Sequence, residues 1–106
     1  MTTHMLRALL IDDDEDFLAG LAEVAEQEGF AVEYAGSLKE ARDRLSRGPV
    51  DIVVADLALP DGRGTVLLEE LKDTVGTDVI IISGVNKLRC ADSKTMSGLE
   101  RIRSRQ

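Results

Sequence analysis

The chain has no tryptophan, only three aromatic residues (Phe17, Phe30 and Tyr34) and a single cysteine, Cys90. So sparse an aromatic set argues against the stacking platforms on which proteins hold unpaired bases. One cysteine cannot form an internal disulfide, which fits a reducing compartment. No apolar run approaches the roughly 20 residues of a membrane-spanning helix. The start, MTTHMLR, lacks the apolar core of a signal peptide. A cytoplasmic protein without a membrane partner is the expectation. At 106 residues the chain suits one domain with a single core. No internal repeat is present, and the one low-complexity stretch is the acidic DDDED at 12–16.

What the chain has in excess is negative charge, unevenly placed. The net charge is −7, with 7 basic against 18 acidic groups in residues 1–83. Residues 84–106 reverse the balance, with Lys87, Arg89, Lys94, Arg101, Arg103 and Arg105 against Asp92 and Glu100. Six cations without aromatics or a recognition-helix pattern do not make nucleic acid an expected partner. A solvated tail is the simpler reading.

Three apolar runs each stop at an oxygen-bearing side chain. LLI (9–11) ends at Asp12-Asp13, IVVA (52–55) at Asp56, and VIII (79–82) at Ser83. Buried runs that break in this way resemble parallel strands leaving a sheet, and ligands of open α/β sheets bind at those carboxyl ends.

The intervening segments alternate with helices. LRALLI (6–11) reads as a buried strand. Asp14 is placed to cap the helix that follows, with Glu15 and Asp16 in its first turn. Phe17, Leu18, Leu21, Val24 and Ala25 form one apolar face, and Gly29 suits the left-handed position beyond the helix end. FAVEYA (30–35) alternates as a strand. Ser37 and Glu40 make an S-x-x-E capping box, with Leu38, Ala41 and Leu45 on one face before Gly48-Pro49. DIVVA (51–55) is apolar on both faces, as a central parallel strand requires. LALPDGRG (57–64) is a turn-rich loop. A helix from about Thr65 to Asp73 carries Val66, Leu67, Leu68 and Leu71, and VIII (79–82) is the fourth strand. A βαβαβαβ order with right-handed crossovers gives a parallel sheet. Beyond Ser83 only Met96, Leu99 and Ile102 keep a helical spacing, so a marginal helix over 94–104 is the expectation there.

If Asp12, Asp13 and Asp56 converge, two carboxylates about 5 Å apart repel by roughly 3 kcal/mol at an effective dielectric near 20. Such a cluster favours proton uptake or a bound cation. Oxygen-only ligands suit Mg²⁺, and no His or Cys lies near enough in the pattern to suggest zinc. A carboxylate is also a nucleophile towards phosphorus. Asp56, alone at the end of the central strand, is the candidate acceptor. Asp12 and Asp13 would anchor the cation, and Ser83 would donate a hydroxyl.

These residues, in this order, resemble the receiver domain of two-component response regulators. The resemblance covers 6–84 and rests on LLIDDDEDF, DIVVADLALPDGRG and VIIISG. The D-L-x-L-P-D-G-x-G form is most similar to receivers of the nitrogen-regulation type. The resemblance implies a flavodoxin-like doubly wound fold. It also implies that Asp56 accepts phosphate from a sensor histidine kinase or a phosphotransfer protein. Mg²⁺ would be held by Asp13 directly, by Asp12 largely through water, by Asp56 and by the backbone carbonyl of Ala58. Ser83 would move inward to bond the phosphoryl oxygen. Ala58 and Val85 match positions that tune phosphate lifetime in the family. Such a domain is a signalling module rather than an enzyme with a separate substrate.

The match stops after the fourth strand. The family continues into a fifth strand ending in Lys-Pro, but the two prolines here, Pro49 and Pro60, do not follow lysine. No catalytic lysine is identified, although Lys87 and Lys94 are near in sequence. The expectation is an incomplete receiver over 1–84, strand order 2-1-3-4, and a basic, atypical segment over 85–106. Without a fifth strand, the fourth is an open edge, to be covered in a homodimer or by a partner chain, with low stability otherwise. Two other readings are a pseudo-receiver that binds partners without switching, and a haloacid-dehalogenase-like phosphatase. The second needs Asp-x-Asp-x-Thr/Ser after the first strand, whereas Asp12-x-Asp14 is followed by Asp16.

Overall fold

The computed structural model of the chain describes residues 5–82. Its elements are β1 (Leu6–Ile11), α1 (Glu15–Gln27), β2 (Phe30–Ala35), α2 (Leu38–Ser46), β3 (Ile52–Asp56), β4 (Ala58–Leu59), β5 (Gly62–Arg63), α3 (Thr65–Leu71) and β6 (Asp78–Ile82). Four of the strands form one parallel sheet in the order β2-β1-β3-β6. This is the expected flavodoxin-like 2-1-3-4 arrangement, with β6 as its fourth strand. The expectations of an absent fifth strand, an open edge beside β6 and a helix over 94–104 all concern residues outside those described.

The sheet is covered on both faces because successive side chains of a strand point to opposite sides. Leu6, Ala8 and Leu10 of β1, Ile52 and Val54 of β3, and Ile80 and Ile82 of β6 pack with Leu18, Leu21, Ala22 and Ala25 of α1. The alternate residues, Leu9, Ile11, Val53 and Ala55, pack with Leu38 and Ala41 of α2 and Leu67 of α3. The continuous apolar runs of β1 and β3 follow from this two-sided burial.

Helix ends form where their capping residues stand. Asp14 accepts from the backbone N–H of Asp16 and of Phe17, both at 3.1 Å. Gly29 takes φ +92, the left-handed conformation that lets the chain leave α1 and enter β2. Ser37 accepts from Glu40 N–H at 3.2 Å, but Glu40 reaches back to the N–H of Gly36 at 3.1 Å. The expected capping box is therefore shifted by one residue on its return arm.

Two further local readings differ from the structure. The loop over 57–64 contains a minimal antiparallel hairpin, with Ala58 paired to Arg63 and Leu59 to Gly62. The helix expected to run to Asp73 ends at Leu71. Of its four apolar residues only Leu67 is fully buried and Leu71 partly so, while Val66 and Leu68 are exposed. α3 turns one stripe towards the sheet, carrying Leu67 and, four residues on, Leu71.

Candidate functional site

The register of the central strands brings the acids together. Ile11 of β1 pairs with Ala55 of β3, so Asp12 and Asp56 are the next residues along two adjacent strands. Neighbouring strands lie about 4.8 Å apart. Asp12 shares the parity of Leu10, and Asp56 that of Val54, which sets both on the face that α1 covers. Oxygen atoms of Asp12, Asp13 and Asp56 lie within 4.8 Å of one another. Asp12 and Asp56 are buried, whereas Asp13 is exposed at the start of the β1–α1 connection.

Hydrogen bonds divide the acidic run DDDED into separate tasks. Asp12 Oδ1 accepts from Asp14 N–H at 2.9 Å, which holds its carboxylate at the strand end. Asp12 N–H donates to Ala35 O of β2 at 3.0 Å. Asp14 is committed to capping α1, and Glu15 and Asp16 lie in its first turn, where negative charge is favoured. Only Asp12 and Asp13 of this run therefore turn towards Asp56.

Asp56 is held from both sides. It pairs with Ile82 of β6, and the following residue, Leu57, donates its N–H to Ile82 O at 2.8 Å. Ala58 N–H approaches Asp56 Oδ1 at 3.4 Å. Gly64 N–H returns to Leu57 O at 2.9 Å, closing the hairpin over the end of β3. A Cβ at Gly64 would stand 2.2 Å from the carbonyl oxygen of Asp56, so no other residue fits there without moving the end of β3.

The donor set is oxygen only, clustered, and partly buried. These features fit a hard divalent cation such as Mg²⁺, which takes one or two carboxylates and keeps several waters. Beside the Asp pair, on the β2 side and away from Asp56, a cleft of about 570 Å³ is lined in part by Tyr34, Gly36, Glu40 and Arg44. Ser83 directly follows β6, and Val85, Lys87 and Lys94 lie further on; all four fall outside the described residues.

Asp61 and Gly64 are the residues that the sequence reading passed over. Asp61 Oδ1 accepts from Leu38 N–H at 2.8 Å, and Oδ2 from Lys39 N–H at 3.0 Å. These backbone bonds, Leu38 first, hold its carboxyl below the usual range, aided by the nearby Arg42 charge. Arg42 in turn binds Glu70 of α3 through two guanidinium nitrogens, the closer contact being 2.5 Å. That pair lowers the Glu70 carboxyl and raises the Arg42 guanidinium. The P-D-G sequence signals a turn; the partner of its Asp, 23 positions upstream, carries no local sign.

A family model described as the response regulator receiver domain matches residues 8–102. The chain is 34% identical over 84 residues to the photosynthetic apparatus regulatory protein RegA of Cereibacter sphaeroides, covering 78% of this chain and 46% of that protein. It is 36% identical over 84 residues to the acid tolerance regulatory protein ActR of Rhizobium meliloti, covering 78% and 43%. The chain thus spans less than half the length of these curated relatives. Among solved structures, the non-phosphorylated HemR receiver domain from Leptospira biflexa superposes with a TM-score of 0.72 at 29% identity, covering 93% of this chain and 94% of that one. A CheY-like response regulator receiver domain protein from Methanospirillum hungatei gives 0.71 at 28% identity, covering 94% and 76%.

Proposed function

This chain belongs to the response regulator receiver domain family of two-component signalling, and on that premise we propose that it accepts a phosphoryl group on Asp56. The observation that carries the reading is the convergence of Asp12, Asp13 and Asp56 oxygens within 4.8 Å at the carboxyl end of the sheet. The donor would be the phosphohistidine of a sensor histidine kinase or a phosphotransfer protein. A carboxylate oxygen of Asp56 forms a bond to phosphorus as the phosphorus–nitrogen bond of the donor breaks. The product is an acyl phosphate, and the freed imidazole nitrogen takes a proton from solvent.

Asp12, Asp13, Asp56 and the Ala58 carbonyl would hold Mg²⁺, which when bound neutralises charge on the phosphoryl oxygens. Asp12 contributes a carboxylate fixed by Asp14 N–H, and Asp13 an exposed one that can adjust to the ion. Burial of Asp56 limits water near the acyl phosphate once formed. Ser83 would bond the phosphoryl oxygen. The receiver unit would include 1–84, and the family match, which reaches residue 102, extends into the basic segment 85–106; the protein would act in the cytoplasm. Among the described residues no helix is long and apolar enough to cross a membrane. On this reading the domain transfers phosphate only to itself and loses it to water, and a homodimer or partner chain transmits the state.

The test is intact mass after incubation with acetyl phosphate, with and without Mg²⁺, for the natural chain and Asp56→Asn. The reading expects one phosphoryl group on the natural chain only, and only with Mg²⁺. Mg²⁺ binding without any phosphoryl uptake would favour a pseudo-receiver instead.

A further inference from the structure

The segment between β3 and α3 is fastened at both ends. At its base, Gly64 closes on the acceptor, donating to Leu57 O at 2.9 Å and lying against the carbonyl of Asp56. At its tip, Asp61 spends both carboxylate oxygens on the first two N–H groups of α2, at 2.8 and 3.0 Å. Bonds from an ionised carboxylate to backbone N–H groups are stronger than neutral ones, and the positive end of a helix favours the charge. Gly62, next to Asp61, lies so near α2 that an added Cβ would stand 2.7 Å from Leu38 Cδ1. The tip therefore touches α2 through a charged contact and an apolar one, both at Leu38.

α2 has a cap of its own, since Ser37 Oγ accepts from Glu40 N–H at 3.2 Å. Of its first turn, Lys39 and Glu40 are exposed to water while Leu38 is buried. The bonds from Asp61 thus serve two segments at once: they satisfy N–H groups of α2 that Ser37 does not reach, and they fasten 57–64 to the helix. Between the two fastenings lie Ala58 and Arg63, paired in the hairpin.

We propose that Asp61 is a positioning residue of the phosphoacceptor site: clamped on the N-terminus of α2, it holds segment 57–64, and with it the main chain of Asp56 and Ala58, in the geometry that takes up metal and phosphate. The inference rests on the phosphoacceptor reading of Asp56. Asp61 does not touch the reacting atoms; it acts through the hairpin that it anchors. A shift of about 1 Å in a positioned group can cost on the order of a hundredfold in rate.

The test uses the full chain and four variants: Asp61→Ala, Asp61→Asn, Ser37→Ala and Asp56→Asn. Mg²⁺ affinity is read by calorimetry, and the rate of phosphoryl uptake from acetyl phosphate at saturating Mg²⁺ by intact mass. Asp61→Ala is expected to weaken Mg²⁺ binding and to slow uptake by about tenfold or more. Asp61→Asn keeps one acceptor oxygen and should recover part of both, which also covers a failure of the alanine variant to fold. Ser37→Ala removes the other cap of α2 without touching the hairpin and should leave affinity and rate unchanged. Natural affinity and rate in a folded Asp61→Ala or Asp61→Asn would overturn the inference, as would an equal loss in Ser37→Ala. If Asp56→Asn takes up no phosphate in the same series, the phosphoacceptor reading survives that result. If Asp56→Asn is labelled like the natural chain, the reading fails and the inference with it.

Discussion

Gly64 lies against the carbonyl of Asp56, where an added Cβ would come within 2.2 Å of the oxygen and 3.1 Å of the carbonyl carbon. Both contacts are backbone, so neither can swing aside as the end of a side chain would. Gly64→Ala should therefore force the end of β3 or the start of α3 to move. Overpacking of this kind costs about 1–3 kcal/mol. Urea unfolding should show the loss, and phosphoryl uptake should fall with it. Natural stability and uptake in this variant would show that the site tolerates the displacement.

The repulsion within the acidic cluster gives a second expectation. Like charges within 4.8 Å of one another repel, and the exposure of Asp13 screens its share to about 1 kcal/mol or less. Asp13→Asn should melt at a higher temperature than the natural chain in a chelator. In excess Mg²⁺ the order should reverse, because a ligand of the folded state stabilises by about 2.7 kcal/mol at a hundred times its Kd. Equal Mg²⁺ shifts in the two proteins would remove Asp13 from the metal site.

Acid should act through Asp61 and Glu70. Both carboxyls are held below their ordinary range in the folded chain, Asp61 by Leu38 N–H and Glu70 by Arg42. A carboxyl with a depressed folded value stabilises the fold above its unfolded pKa, near 4. That contribution disappears as pH falls through the folded value. Stability should thus decline on acidification below about pH 4, and Asp61→Asn combined with Glu70→Gln should flatten this part of the profile. Both groups are largely exposed, so the effect is modest and shrinks with salt. Chemical unfolding across this range measures it.

The two adjacent leucines of α3 should behave differently. Leu67 is fully buried against the sheet while Leu68 is 44% exposed. Leu67→Ala should cost about 2–5 kcal/mol, and Leu68→Ala about 0.5 kcal/mol or less. Equal losses in urea unfolding would mean that α3 is rotated from the orientation described.

The sequence made the sheet legible because β1 and β3 are buried on both faces and so read as unbroken apolar runs. It made the caps at Asp14 and Ser37 legible because their partners are two or three residues away. That Asp12 and Asp56 end at the same edge followed from the βαβ order; that β1 and β3 are neighbours came with the flavodoxin-like order that the resemblance implies. The β4–β5 hairpin was not legible, because a two-residue ladder has no periodicity to detect. Nor was the orientation of α3, whose apolar residues Val66, Leu67 and Leu68 are consecutive; the sheet selects Leu67. The role of Asp61 was hidden for a different reason: its partners, Leu38 and Lys39, come near only when the chain is folded.

The central claim is that Asp56 carries the phosphoryl group and that the neighbouring acids make this depend on a divalent cation. Its most direct test is to treat the full chain with acetyl phosphate and Mg²⁺, trap the acyl phosphate by borohydride reduction, and map the modified peptide. The account expects a single modified residue, Asp56, and none when Mg²⁺ is chelated. Modification at Asp12 or Asp13, or at Asp56 regardless of the metal, would contradict it.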